Sequence, residues 1–184
     1  MFIQTEQTPN PATIKFIPGQ VVMAQGSAEF READKAGRSP LAQRLFRIDG
    51  VSSVFLASDF VSVTRDSDSD WSFLKPQVLA AIMEHYLSGM PVMEGVLDVA
   101  DNGMESELVL QIRELLDTRV RPAVARDGGD IEFVKFEDGI VWLHMKGACA
   151  GCPSSTLTLK SGIENMLKHY VPEIVSVEQY QAGY

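Results

Sequence analysis

Cysteine, positive charge and long apolar runs are all scarce in this 184-residue chain. Two cysteines are too few for a secreted fold held together by disulfides. With 16 basic against 25 acidic side chains, the chain lacks the clustered cations that bind phosphate backbones. No apolar run approaches the roughly 20 residues of a membrane-spanning helix. We therefore expect neither nucleic acid nor a membrane as a partner.

The remaining composition is that of a globular protein, with 45% hydrophobic and 8% aromatic residues. The N-terminal residues, MFIQTEQTPNPATIKF, show neither an export signal nor an Arg-rich organelle leader. This predicts a reducing cytoplasm, most simply a bacterial one. A mitochondrial matrix protein whose leader had been removed would look the same.

Residues 1–92 predict a small α+β domain. Proline and glycine separate short apolar segments, and Ser39-Pro40 is a typical helix start. The last predicted helix has an apolar stripe through Leu74, Val78 and Ile82, with Met83 on the stripe and His85 beside it. The predicted elements are strands at 2–5 and 13–17, a helix from Pro40, a hairpin of 51–57 with 60–64, and a helix from about Trp71.

Residues 93–107 predict an acidic linker. The segment from 92 to 107 contains five acids and two glycines but no basic residue. Its apolar residues Val96, Leu97 and Val99 leave a second interpretation open, an irregular tail that packs on one domain.

Residues 108–184 predict a second α+β domain with the order helix, hairpin, CxxC loop, helix. Leu108, Ile112 and Val120 lie on one helix face, and Pro122 is expected to kink or end that helix. Asp138-Gly139 predicts a tight turn between strands 131–136 and 140–146. The last helix has Leu159, Ile163, Met166, Leu167 and Tyr170 on one face. The fold class is therefore α+β, with two small domains.

Cys149 and Cys152 lie in the loop between the second strand of this hairpin and the last helix. Metals bind thiolates, and a helix N-terminus lowers the pKa of a nearby thiol, so we expect both cysteines to ionise readily. Glycine and alanine around them would let backbone amides approach the sulfurs.

The number of thiols suggests a shared site. An iron–sulfur cluster or a structural zinc usually takes four protein ligands, whereas this chain offers two thiols. Two chains related by a twofold axis would supply four, and the bound group would then hold a homodimer together. Such an exposed site should release its metal readily, which favours delivery over permanent electron transfer.

The motifs in both halves resemble a known family. Arg121-Pro122, Asp127-Gly128-Gly129-Asp130 and GACAGCPSS at 147–155 resemble the NifU C-terminal domain. In the first half, Thr8-Pro9-Asn10-Pro11 and Gly50-Val51 resemble the N-terminal domain of Nfu-type proteins. The resemblance implies a scaffold or carrier of [4Fe–4S] clusters, with Cys149 and Cys152 as ligands. It also implies recipient apo-proteins and upstream cluster assembly proteins as partners.

Three other interpretations of the cysteine pair stay open. A CxxC before a helix is also the site of thiol–disulfide oxidoreductases, although their βαβ unit with a parallel sheet is not predicted here. A zinc ion shared across a dimer would accept the same four thiolates. An inert structural pair is the third, and the flanking glycines and the helix start speak against it.

The other polar residues predict structural roles. His144 on a strand and His169 near a helix end need no metal, and Lys146, Lys160 and Lys168 are expected to be solvated. The carboxylates of Asp127 and Asp130, which flank the Gly-Gly turn, should accept hydrogen bonds from backbone amides. Walker, HExxH and GxSxG motifs are absent from the sequence, so we expect a protein that is not an enzyme.

Overall fold

A computed structural model describes residues 1–95, 106–150 and 153–180, without the side chains of 153–155. The chain divides into two compact units, Met1–Asp98 and Val99–Tyr184. Both combine helices with a sheet, so the predicted α+β class is confirmed. Within the described residues, no helix is both long enough and apolar enough to span a bilayer.

The first unit is built on a five-stranded antiparallel sheet. Its spatial order is β1-β2-β5-β4-β3, and β4 and β5 form the hairpin predicted from the sequence. The strands are β1 (Gln4–Gln7), β2 (Thr13–Ile17), β3 (Ala28–Phe30), β4 (Val51–Leu56) and β5 (Val61–Arg65).

Two helices contribute to the core of this unit, α1 (Pro40–Phe46) and α2 (Trp71–Ser88). Ser39 starts α1 as predicted, because its hydroxyl accepts a hydrogen bond from the Ala42 amide at 3.1 Å. The Asp70 carboxylate caps α2 in the same way. Apolar side chains of both helices pack with those of the central strands, among them Leu41, Leu45, Val78 and Ile82.

Two predictions in this unit were wrong. The first strand is Gln4–Gln7 rather than 2–5, because its residues pair with Ile14–Ile17 and leave Phe2 in solvent. His85 lies on the buried face of α2, whereas Met83 is exposed. Burial, followed by the nearby Arg44, lowers the pKa of His85, and neither ring nitrogen has a hydrogen-bond partner within the part of the chain that the structure describes. The sequence interpretation also lacked β3 and the 3-10 helix Ala33–Arg38.

The expected linker falls largely outside the described residues, since residues 96–105 carry its centre and its apolar Val96, Leu97 and Val99. At its start, Met93 packs on the core of the first unit, and the Glu94 amide donates to the Arg38 carbonyl at 2.7 Å. At its end, Glu107 is already the first residue of the next helix. The domain limits 92 and 108 therefore remain predictions.

The second unit begins with three consecutive helical segments. These are α3 (Glu107–Leu115), a π-helical turn (Leu116–Val120) and α4 (Arg121–Arg126). Pro122 was predicted to kink or end this helix, and only the second alternative is wrong, because helical residues continue to Arg126. Pro122 lies in the first turn of α4, where a missing amide hydrogen costs little, and the widened turn before it marks the irregularity.

The second sheet has three strands in the order β6-β7-β8. Strands β6 (Gly129–Glu137) and β7 (Ile140–Gly147) form the predicted hairpin, with positive φ at Asp138 and Gly139 in the turn. After α5 (Pro153–Tyr170), the chain adds β8 (Ser176–Gln179) parallel to β7. The sequence interpretation missed β8, whose four residues bury one apolar side chain, Val177.

This last strand corrects a second prediction. β7, α5 and β8 form a βαβ unit with a parallel strand pair, which the sequence analysis expected to be missing. The loop that carries the cysteines connects the first strand of this unit to its helix. Topology alone therefore no longer argues against a thiol–disulfide oxidoreductase.

Candidate functional site

The site lies where the open end of the β6–β7 hairpin meets the loop before α5. Gly129, the first residue of β6, pairs with Gly147, the last residue of β7. Gly128 and Gly147 both have positive φ, which side-chain-bearing residues rarely adopt, and this allows the chain to turn sharply on both sides. Cys149 follows two residues after Gly147.

The Cys149 side chain points into the molecule. The residue is only 5% exposed and belongs to the apolar cluster that contains Ile131, Met145 and Leu167. Its sulfur lies against Gly129 so closely that a Cβ atom on Gly129 would stand 2.5 Å from Sγ and 2.8 Å from the Lys146 carbonyl oxygen. A side chain at position 129 would therefore displace the sulfur or the strand.

The loop around Cys149 is held by backbone and hydroxyl hydrogen bonds. The Ala148 amide donates to the Gly128 carbonyl at 3.2 Å, and the Ala150 amide donates to the Gly147 carbonyl at 3.1 Å. The Thr156 hydroxyl on α5 donates to the Cys149 carbonyl at 3.1 Å. The amides of Ala148 and Ala150 are thus directed at carbonyl oxygens, contrary to the expectation that they would approach the sulfurs.

Asp130 connects the start of β6 to α4. Its carboxylate accepts two hydrogen bonds from the Arg121 guanidinium, from Nε at 3.0 Å and from NH2 at 3.1 Å, and a third from the Ile131 amide at 2.8 Å. Arg121 also donates to Asp117 at 3.0 Å. The predicted bond from a backbone amide to Asp130 is confirmed, and the bidentate Arg121 contact was not predicted.

The expectation that both thiols ionise readily was wrong for Cys149. Burial, together with the negative charges of Asp127 and Asp130, raises the pKa of the Cys149 thiol to about 12. Cys149 is therefore a neutral thiol near neutral pH when no metal is bound to it.

The second predicted ligand, Cys152, lies outside the described residues, and so do Gly151 and the side chains of Ser154 and Ser155. The structure consequently gives no distance between the two sulfurs. Among the described residues, no three His, Cys, Asp or Glu side chains are grouped closely enough to hold a metal ion.

The charged residues of β7 and α5 form ion pairs within the second unit. Lys146 lies 2.8 Å from Glu132, Lys160 lies 2.7 Å from Glu178, and Lys168 lies 2.6 Å from Glu164. His144 is 3.9 Å from Glu132, and His169 is exposed beside Tyr170. The prediction that the three lysines are solvated was wrong for Lys146, whose side chain is only 14% exposed. His144 lies on β7 and His169 near the end of α5, as predicted.

Two residues of the site were missed as such by the sequence interpretation, Gly129 and Arg121. Both belong to motifs that were noted there, Arg121-Pro122 and Asp127-Gly128-Gly129-Asp130. A glycine opposite another glycine at the open end of a hairpin is a signal of close backbone approach. The bidentate contact has no such signal, because the eight residues between Arg121 and Asp130 include a helix and a turn.

Both units match family descriptions. Residues 3–89 match "Scaffold protein Nfu/NifU N terminal", and residues 112–178 match "NifU-like domain". The second match includes Cys149, Cys152, Gly129 and Arg121.

Whole-chain relatives extend these matches. The chain is 54% identical to "NifU-like protein 4, mitochondrial" of Arabidopsis thaliana, over 97% of this chain and 66% of that protein. It is 50% identical to the human "NFU1 iron-sulfur cluster scaffold homolog, mitochondrial", over 97% of this chain and 72% of that protein. It thus spans about two thirds of the length of the curated relatives it matches.

A solution structure of a NifU-like protein from Saccharomyces cerevisiae is also similar, with 24% identity and a TM-score of 0.47 over 52% of this chain and 87% of that one. The family assignment rests on the sequence matches, which cover both units and nearly the whole chain. The chain belongs to the Nfu/NifU-like protein family.

Proposed function

We propose that this protein is an iron–sulfur cluster scaffold or carrier. Two copies bind one [4Fe–4S] cluster through Cys149 and Cys152 of each copy, and the dimer delivers the cluster to apo-proteins. The cluster is cargo rather than a resident cofactor. Upstream cluster assembly proteins supply it, and the protein itself catalyses no reaction.

One observation carries the proposal: a CxxC pair begins at a cysteine whose sulfur rests on Gly129, in a chain with both domains of the Nfu/NifU-like family. The human relative is named an iron–sulfur cluster scaffold homolog. Two thiols per chain leave the ligand set half complete, which supports a cluster shared by two chains.

The buried position of Cys149 supports delivery rather than permanent storage. To bind a cluster, the sulfur must leave the apolar cluster around Ile131 and Met145 and lose its proton. Both steps cost free energy, which the bonds to iron must offset. When the cluster leaves, the thiol regains a proton and returns to its apolar contacts. The empty state is thereby stabilised, and transfer to a recipient becomes more favourable.

A thiol–disulfide oxidoreductase is the second candidate, and the β7-α5-β8 unit favours it. Its attacking cysteine must be a thiolate near neutral pH. A Cys149 thiol with a pKa of about 12, facing the charges of Asp127 and Asp130, has the opposite property. We therefore rank this function second, although Cys152 could still be the attacking group.

The test is anaerobic reconstitution of the full chain with iron and sulfide, followed by Mössbauer spectroscopy and native mass spectrometry of the same sample. We expect a [4Fe–4S] signal and a mass of two chains with one cluster. Cys149→Ser and Cys152→Ser should each abolish it. The matched control is Ser154→Ala, which changes a neighbouring residue of the loop and leaves both thiols in place.

Other outcomes would contradict all or part of the proposal. A single zinc ion per dimer after the same reconstitution would make the site a zinc module. A chain that holds no cluster but forms a reversible Cys149–Cys152 disulfide would support the oxidoreductase. A chain that binds a cluster but stays monomeric would contradict the shared site, and not cluster binding itself.

Two further proposals concern the cellular location of the protein and the selection of its recipients. The names of both relatives quoted above contain the word mitochondrial, which supports the matrix alternative, whereas the expected bacterial cytoplasm gains no support. We also propose that the N-terminal domain selects recipient proteins. Cluster transfer from a chain without residues 1–92 that remains equally fast would contradict this role.

A further inference from the structure

Helix α2 of the first unit is apolar on two opposite sides, and only one of them packs into the core. Leu74, Val78 and Ile82 are buried on the inner side. On the outer side, Phe73 is 76% exposed and Leu87 is 77% exposed. Five exposed residues, which we call the outer seam, follow one line along the helix: Phe73, Pro76, Ala80, Met83 and Leu87.

The spacing of the outer seam is that of a coiled coil. Its members recur at intervals of three, four, three and four residues, which is the alternation of the two core positions in a heptad repeat. The seam extends over 14 residue steps, or about 21 Å of helix. Scattered exposed apolar residues are common in proteins, whereas a continuous line of two heptads gives a second helix a surface on which to pack.

We propose that the outer seam is a self-association surface, which packs against the outer seam of a second copy of this chain. The two α2 helices would run antiparallel across a twofold axis near Ala81 and Ile82. This contact involves only the first unit and does not depend on Cys149 or Cys152. The proposed self-association can therefore be tested independently of the proposed cluster site.

The seam is complementary to itself in this arrangement. In an antiparallel pair, the first core position of each heptad faces the second core position of the other helix. Ala80 then faces Met83 of the second copy, and Pro76 faces Leu87 of the second copy. Both contacts combine a small side chain with a large one, which is the arrangement that fills the space between two helices. Phe73 would face position 90, two residues beyond the end of α2, and therefore lies outside this pairing.

Charge does not oppose this pairing. Lys75 and Glu84 are the two residues of α2 with permanent charge, and Glu84 is 3.0 Å from Arg44 of its own chain. The twofold axis places Glu84 beside Gln77 of the second copy rather than beside a second Glu84. No two like charges meet across the seam, so the flanking residues permit the apolar contact.

The contact should be weak. One pair of short helices buries less than the roughly 1,200 Å² of a stable interface. We therefore expect a weak and reversible dimer. Such a dimer forms when copies are concentrated, or when a second contact already holds them together.

The test is sedimentation velocity of the full apo chain from about 10 µM to about 1 mM, with a thiol reductant and an iron chelator present so that no cluster or disulfide links the chains. Leu87→Glu should raise the dissociation constant at least about tenfold, because it places a carboxylate in the seam. Phe2→Glu is the matched control, since Phe2 is 79% exposed but lies off the seam. This variant should dimerise like the parent chain.

A charge-swap experiment tests the antiparallel register. Leu87→Glu and Pro76→Lys should each weaken self-association, whereas an equimolar mixture should form a heterodimer in which Glu and Lys face each other once. Circular dichroism shows that each variant is folded. A parent chain that stays monomeric up to about 1 mM overturns the proposal. The outer seam would then be a surface for a helix of another protein. Unchanged association in Leu87→Glu, or no recovery in the mixture, overturns the proposal as well.

Discussion

The two units differ in what their cores contain. The core cluster of the first unit consists of aliphatic, aromatic, alanine and methionine side chains, whereas the core cluster of the second unit includes the thiol of Cys149. In the first unit, stability and any contact with partners can be changed at separate residues. In the second, the residue proposed to bind the cluster also fills the core, so a change in the site is also a change in packing.

The largest expected effect concerns the reactivity of the buried thiol. A rise in the thiol pKa from 9.0 to about 12 makes the thiolate fraction of Cys149 about a thousandfold smaller at a given pH. We expect iodoacetamide to alkylate Cys149 of the apo chain at least about a hundredfold more slowly than in concentrated urea. Mass spectrometry of the alkylated peptide measures the rate. Equal alkylation rates in the folded chain and in urea would show that folding does not protect the Cys149 thiol, and the two cores would then not differ in this respect.

The second prediction separates the units. Ile82 is fully buried in the core of the first unit, so Ile82→Ala should lower the free energy of unfolding of that unit by about 2–5 kcal/mol. The alkylation rate of Cys149 in the second unit should not change. Thermal unfolding followed by Trp71 and Trp142 fluorescence, together with the alkylation assay, measures both quantities. A faster reaction of Cys149 in this variant would show that the two cores are energetically coupled.

The third prediction tests whether a change in core packing at Gly129 also changes the reactivity of Cys149 in the second unit. A methyl group on Gly129 collides with the Cys149 sulfur and the Lys146 carbonyl, so Gly129→Ala should destabilise the unit by about 1–3 kcal/mol. It should also increase the alkylation rate of Cys149. Gly162→Ala is the matched control, because a Cβ there meets no other atom within 4 Å and α5 gains helix propensity. A Gly129→Ala variant as stable as this control would contradict the close contact.

The smallest expected effect is a pH dependence of the second unit. His144 at 3.9 Å and Lys146 at 2.8 Å lower the pKa of Glu132 from 4.5 to about 2. The stabilisation is therefore present above pH 4.5 and is lost as the pH falls toward about 2. Because the Glu132 side chain is half exposed, we expect less than about 1 kcal/mol.

Urea unfolding of the parent chain and of Glu132→Gln at several pH values measures this contribution. The difference in stability between the two should shrink as the pH falls through this range. Lys146→Met should remove part of the same difference. A difference that stays constant with pH would show that the ion pair contributes nothing to folding.

Local signals in the sequence were sufficient for most of the secondary structure. The cap at Ser39, the hairpin turn at Asp138-Gly139 and the start of α2 depend on interactions within a few residues, and all three were predicted. Strand β8 was not predicted, and the sequence left open whether Pro122 kinks or ends its helix. Both depend on context: β8 is stabilised by pairing with β7, and Pro122 lies in the first turn of α4, directly after a π-helical turn.

The features of the candidate site also fall into two groups, those that follow from adjacent residues and those that depend on tertiary packing. The sequence alone determined the CxxC pair, its place between a strand and a helix, the glycines of the turn and the family resemblance, because each is a property of adjacent residues. Only the tertiary structure decided that Cys149 is buried against Gly129, that Asp130 is held by Arg121 and that His85 is buried. These facts depend on which segments pack together. The pKa of the Cys149 thiol depends on them too, because burial and neighbouring charges act through space rather than along the chain.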